Sequence, residues 1–186
     1  LPDNNVGLII SSDYNKIMGL QIINCPGTAL YVEGGSYNQI GGDRTLGAGP
    51  VGQGNLFSNN GNGIGLLSTG GGNVITGNLI GTELDGFTPM GNGGPGIAIE
   101  KNETISPIPN TIGPDNIIAY NGTWGDGPGI ELMSGMLRAV ITQNSILDNG
   151  GKGINYLEND AEVDPPAIIY HDLEQGVVSG QTCSGC

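Results

Sequence analysis

Apolar and polar positions alternate in bursts of a few residues that return along the chain. The most regular burst opens on glycine: Gly63-Ile64-Gly65-Leu66, Gly96-Ile97-Ala98-Ile99, Gly129-Ile130-Glu131-Leu132 and Gly153-Ile154-Asn155-Tyr156. The first three stand 33 residues apart and the last interval shortens to 24, as one unit with insertions of different size would give. A second burst puts asparagine two residues ahead of an isoleucine, in Asn15-Lys16-Ile17, Asn38-Gln39-Ile40, Asn73-Val74-Ile75 and Asn110-Thr111-Ile112. A third reads Asn55-Leu56-Phe57, Asn78-Leu79-Ile80, Asn116-Ile117-Ile118 and Asn144-Ser145-Ile146. Period-two alternation over so few residues predicts short strands, three per repeat. No such strand buries its apolar face alone, so successive turns of the coil must stack, with like residues in columns. The expected fold is all-β, a parallel β-helix solenoid of about five to six rungs.

Rung one passes through Ile17 and Ile22 to Cys25, and rung two starts near Ala29-Leu30-Tyr31-Val32 and carries a loop over 43–53. Rung three covers 61–82, followed by a Gly-rich loop over 83–94, and rung four covers 96–120 with a Pro-rich insertion at 102–109. Proline there belongs outside the ladder, since it has no N–H to donate. Rung five spans 129–149, and rung six begins at Gly153 and gives out near Asp160. Alternation begins at once, in Val6, Leu8 and Ile10, without a polar cap, as in a segment cut from a longer protein or a first rung covered by a partner. The expected division is a β-helix over 1–160 and a tail over 161–186. The tail opens on Asp164-Pro165-Pro166 and shows one or two strands around Ile168, Tyr170, Val177 and Val178. It reads either as the start of a second β module or as a strand folding back over the last rung.

Stacked turns bring like asparagines together. An Asn amide both donates and accepts, so a column bonds to itself and to the turn backbone. Two columns are expected: Asn15, Asn38, Asn73 and Asn110, broken at Ala139, and Asn55, Asn78, Asn116 and Asn144. Thirty-six glycines agree with many tight turns, and the lack of a Gly-X-Y period excludes collagen. The net charge of −13, with five Lys and Arg, points away from nucleic acid and anionic membranes and disfavours a polyanionic substrate unless cations bridge the two. No apolar run is long enough to span a bilayer, so direct membrane insertion is not expected.

Asn38-Gln39-Ile40-Gly41-Gly42, the stretch Gly77-Asn78-Leu79-Ile80-Gly81-Thr82-Glu83-Leu84-Asp85-Gly86, and Gly91-Asn92-Gly93-Gly94-Pro95-Gly96-Ile97 together resemble the bacterial right-handed parallel β-helix repeat proteins. The resemblance covers residues 6–160, and Asn-Leu-Ile-Gly-Thr is its most specific part. It implies a right-handed, pectate-lyase-like coil and an extracellular or surface location. It says little of function, because this fold hosts lyases, hydrolases, adhesins and stalks. The terminal Cys183-Ser184-Gly185-Cys186 also resembles the lead into a following β-sandwich-type module in such proteins, and these two cysteines are a pair that could close a small disulfide loop.

Catalytic relatives of that fold carry Asn-Thr-Asp, Asp-Asp, Gly-His-Gly and Arg-Ile-Lys, or an Arg base beside Ca²⁺-binding carboxylates. The four motifs do not occur here, and neither Arg44 nor Arg138 adjoins an acidic cluster in sequence. The one histidine, His171, lies in the tail. Glycoside hydrolysis needs only two carboxylates, and Glu100 and Glu131 qualify. One rung apart and offset by two residues, their backbones come about 8 Å from each other, compatible with an inverting pair. The other reading of both is a solvated acidic face.

For carbohydrate binding the candidates are Tyr31, Trp124 and Glu131. Tyr31 shares a column with Gly65, Ala98, Glu131 and Asn155, and Trp124 sits in the loop 122–128. The alternative is that both aromatics merely cover apolar strand and corner surface. No cofactor is expected. Glu83, Asp85 and Asp115 supply oxygen ligands for Ca²⁺ without an EF-hand or nonapeptide spacing. Cys25 reads as a small buried apolar residue. The functional expectation is a stalk, adhesin-like or scaffold module of a secreted or surface protein, partnered by a glycan, by another surface protein or end to end by itself. The competing class is a polysaccharide hydrolase or lyase.

Overall fold

A computed structural model describes residues 5–67, 70–100, 108–133, 139–157, 167–172 and 177–181. Its first rung holds β1 (Leu8–Ile10), β2 (Lys16–Ile17) and β3 (Gln21–Ile23), and the second β4 (Thr28–Glu33), β5 (Gln39–Gly41) and β6 (Leu56–Ser58). The third holds β7 (Asn62–Leu67), β8 (Val74–Thr76) and β9 (Leu79–Ile80), and the fourth β10 (Ile97–Ile99), β11 (Asn110–Ile112) and β12 (Ile117–Ala119). The fifth holds β13 (Ile130–Met133), β14 (Ala139–Ile141) and β15 (Ser145–Leu147), and β16 (Ile154–Leu157) opens a sixth. Every third strand joins the same sheet: a first sheet β1-β4-β7-β10-β13-β16, a second β2-β5-β8-β11-β14 and a third β3-β6-β9-β12-β15, all parallel. This is a parallel β-helix of five complete rungs, three strands to each. In the tail, β17 (Ala167–Asp172) and β18 (Val177–Gln181) form an antiparallel pair. Cys183 and Cys186 lie outside the described residues.

The core is a stack of like residues. Leu30, Ile64, Ile97 and Ile130 from the first sheet, Ile40, Ile75 and Ile112 from the second, and Phe57, Ile80 and Ile118 from the third are fully buried. Each such side chain stabilises the coil by about 1.5–3 kcal/mol. The repeating glycine has a steric cause. A Cβ on Gly63, Gly96 or Gly129 would lie 2.8 Å from the Cγ2 of Ile80, Ile118 or Ile146, and Gly63 would also strike the Gly96 carbonyl oxygen. Glycine thus lets the third-sheet isoleucine fill the corner. Rung two carries Ala29, fully buried, opposite Gly63.

Both expected asparagine ladders form. In the first, Nδ2 of Asn15, Asn38 and Asn73 donates to Oδ1 of the next rung's asparagine at 2.8, 3.1 and 3.0 Å, and Asn110 pairs in register with Ala139, where the column stops. In the second, Asn55, Asn78 and Asn116 do the same toward Asn78, Asn116 and Asn144 at 2.9, 3.0 and 2.8 Å. A third ladder, not foreseen, runs through Asn60, Asn92, Asn121 and Asn149 at 3.1, 2.7 and 3.0 Å. Cys25 heads that column, its N–H donating to Asn60 Oδ1. The cysteine is half-buried rather than buried, with its thiol turned to the Asn5 carbonyl at 2.9 Å, because no further rung covers it among the described residues.

Each ladder follows a backbone reversal. Tyr14, Tyr37 and Gly72 precede the first ladder at φ of 57°, 55° and 71°; Gly77, Asp115 and Gln143 precede the second at 65°, 65° and 54°; Asn24, Asn59, Tyr120 and Asp148 precede positions of the third at 60°, 54°, 59° and 50°. Left-handed backbone costs an L-residue roughly 1–2 kcal/mol. The hydrogen bonds of the following asparagine offset that cost and hold the corner. The loops over 42–54 and 82–90 leave the coil on Gly41 and Gly81, at φ 89° and 91°.

Candidate functional site

On the outer side of the first sheet, Tyr31, Gly65, Ala98, Glu131 and Asn155 stand in register. The structure adds a connection along this column. The Tyr31 ring lies on Gly65, where a Cβ would come 2.5 Å from its Cδ2 and Cε2, and its hydroxyl donates to Glu100 Oε1 at 2.7 Å. Tyr31 belongs to rung two and Glu100 to rung four, so the phenol crosses an entire rung. Only a residue without a side chain at 65 permits this. Gly65 and Ala98 are consequently buried, so the small-residue floor expected beside the ring is roofed over. What stays partly exposed is a half-buried, tethered phenol, with half-buried Glu131 on the column two rungs beyond Gly65.

Burial first, then the Glu100 hydrogen bond, then the charges of Glu100 and Glu33 push the Tyr31 phenol well above its ordinary value. The folded state therefore prefers the neutral phenol. The resulting stability is fully present below the unfolded pKa of about 10 and is lost as pH rises toward the folded one. An alkaline absorbance titration should show one tyrosine ionising after the others, and in Tyr31→Phe that late component should be missing. A late component retained in Tyr31→Phe would mean that Tyr31 is not the tethered group.

The other sequence candidates sit apart. Trp124 is 75% exposed and rests its indole on Gly93, around the corner ahead of β10, so it does not share a platform with Tyr31. Asp85 closes its own turn, accepting from the N–H groups of Phe87 and Thr88 at 3.0 and 2.8 Å and from the Thr88 hydroxyl, and the hydroxyl bond leads the effects that lower its pKa. Among the described residues no three His, Cys, Asp or Glu side chains gather as a metal site. Asp115 offers its backbone carbonyl to Arg44 Nη1 at 2.8 Å. His171 falls in β17, and Arg138 lies outside the described residues.

Two further features escaped the sequence reading. Tyr14 and Tyr37 stack with centroids 5.1 Å apart and planes 5° from parallel, since both directly precede a first-ladder asparagine. The dipeptides Tyr14-Asn15 and Tyr37-Asn38 were the available signal. The other is a polar groove at the corner between the second and third sheets, which depends on how the 42–54 loop folds. Fold and columns together define a parallel β-helix protein with asparagine ladders. Comparison with protein-family models, with curated proteins and with solved structures found no match for the chain.

Proposed function

We propose that the chain is a rigid recognition module of a secreted or surface protein, a stalk, adhesin-like or scaffold β-helix, whose first-sheet outer face takes a neutral glycan. The observation that carries this is the Tyr31 ring, its Cδ2–Cε2 edge set on Gly65 and its hydroxyl tied to Glu100. A ring fixed before binding loses little freedom when a sugar packs against it, and its exposed part gives the apolar contact while Glu131 accepts hydroxyls. The net charge of −13 favours neutral over anionic glycans. The bacterial, pectate-lyase-like setting rests on the resemblance of the Asn78-to-Thr82 stretch. In the same reading, β16 offers an end-on contact: Ile154 and Tyr156, at inward register positions, are 45% and 38% exposed. Concentration-dependent mass in light scattering would support such stacking, and a constant monomer mass would count against it.

A hydrolase is the competing reading, favoured by one observation, that the phenol holds Glu100 one rung from Glu131. Affinity electrophoresis through neutral polysaccharides, paired with reducing-end release, separates the two. Binding should weaken about tenfold in Tyr31→Ala, the loss of one aromatic contact, with no reducing ends released. Release that vanishes in Glu131→Gln would replace the binding reading with a catalytic one. Equal retention of parent and Tyr31→Ala on every polysaccharide would remove the first-sheet site.

A further inference from the structure

The groove at the corner between the second and third sheets has a volume of about 500 Å³ and is lined by Gln39, Asp43, Arg44, Gln53, Thr76 and Asp115, among others. Its construction parallels the Tyr31 bridge on another face. Arg44 rises from the rung-two loop with its Cγ 3.0 Å from where a Cβ on Gly54 would lie, and donates through Nη1 to the Asp115 carbonyl in rung four. This uses one of its five N–H donors. Gln53 lies against Gly42, where a Cβ would meet its Oε1 at 2.8 Å, and its amide has no hydrogen bond among the described residues. Gln39 spends one amide N–H on the Gly41 carbonyl at 3.2 Å and keeps its oxygen available. Asp43 Oδ1 accepts from the N–H and hydroxyl of Thr45, which leaves Oδ2 toward solvent.

Planar groups with atoms left over, one guanidinium and two amides, therefore line one cavity together with Asp43 and Asp115, and no aromatic ring is in its lining. Charge decides what they suit. One arginine against Asp43 and Asp115 leaves the lining net negative, on a chain of −13, so an anion is repelled. A bare cation meets the guanidinium. A neutral polyol meets neither objection: guanidinium, amide and carboxylate each present paired atoms that vicinal hydroxyls match two at a time. The volume falls within the range of small-molecule sites. We infer that this groove is a binding site for the neutral, vicinally hydroxylated end of a sugar chain, distinct from the first-sheet face. Lacking an aromatic platform, it binds weakly and acts in concert with other contacts.

The experiment is ¹H–¹⁵N NMR of the full chain titrated with glucose, galactose, mannose and N-acetylglucosamine, with glucuronate as the anionic comparison. A neutral sugar should shift the amides of Gly42, Gly52 and Gly54 saturably, with a Kd on the order of millimolar. Gln53→Ala, which removes a side chain with no hydrogen-bond partner among the described residues, should weaken this at least about fivefold, as loss of one hydrogen bond does. Arg44→Ala should weaken it further. Preference for glucuronate, no saturable shift with any neutral sugar, or unchanged affinity in Gln53→Ala and Arg44→Ala would each overturn the inference. Shifts confined to Tyr31, Ala98 and Glu131 would support the first-sheet reading alone and equally overturn this one.

Discussion

Asn78→Asp should destabilise the coil by roughly 4 kcal/mol at pH 7, within the range for an uncompensated buried charge. Asn78 is fully buried in the middle of the second ladder. Its Oδ1 accepts from the Asn55 N–H and Nδ2 at 3.1 and 2.9 Å, and aspartate would keep that role. Its Nδ2 donates to the Ile40 carbonyl at 2.9 Å, the Thr76 carbonyl at 3.0 Å and Asn116 Oδ1 at 3.0 Å, and aspartate would turn an oxygen toward all three. Three acceptors around a carboxylate favour its protonated form, so the folded pKa of the new group should stand above the unfolded value of about 3.9. The penalty relative to the parent is therefore smallest below that value and grows as pH rises through the folded pKa. Urea unfolding of both proteins near pH 3.5 and pH 7 checks the magnitude and the direction. Asn144→Asp, at a half-buried position, should cost less. Equal small losses at both sites would mean that the ladder does not carry stability.

Gly81→Ala should be nearly as damaging, at roughly 3 kcal/mol, from left-handed strain and overpacking together. Gly81 has φ 91°, and an added Cβ would strike the Ala119 carbonyl oxygen and lie 2.6 Å from Asn121 Oδ1, a member of the third ladder. Neither neighbour is the free end of a flexible side chain. Gly34→Ala is the control: its φ is 77°, but no atom lies within 4 Å of the new Cβ, so it should show the strain alone, about 1 kcal/mol. Thermal melts of both variants separate the two contributions. A Gly81→Ala melt that matches Gly34→Ala would show that the corner gives way and that backbone contact there is unimportant.

Much of this was legible because a stacked coil translates sequence period into spatial column. Ile64, Ile97 and Ile130 recur with their flanking glycine, and the structure pairs them in register. The second ladder could be read from Asn55, Asn78, Asn116 and Asn144 because each stands directly ahead of a strand. The third could not be read in the same way. Asn60, Asn92, Asn121 and Asn149 come after the third-sheet strands, and each precedes a glycine, so they resemble ordinary turn residues. The inserted loop over 82–90 also separates Asn92 from β9 and hides the period. Asn-Gly at the close of rungs two to five was the signal.

The chain's own pattern determined the rungs, the three strands in each, two of the ladders and the column joining Tyr31, Gly65, Ala98 and Glu131, because parallel stacking preserves order and register. Tertiary structure decided what happens between columns. That Tyr31 passes over Gly65 to reach Glu100, and that Arg44 reaches the Asp115 carbonyl beside a polar groove, depends on side chains crossing a whole rung and on the path of an inserted loop. Repeat spacing carries no information about either, because a long side chain's direction is set by the space its neighbours leave, and that space exists only once the rungs are stacked.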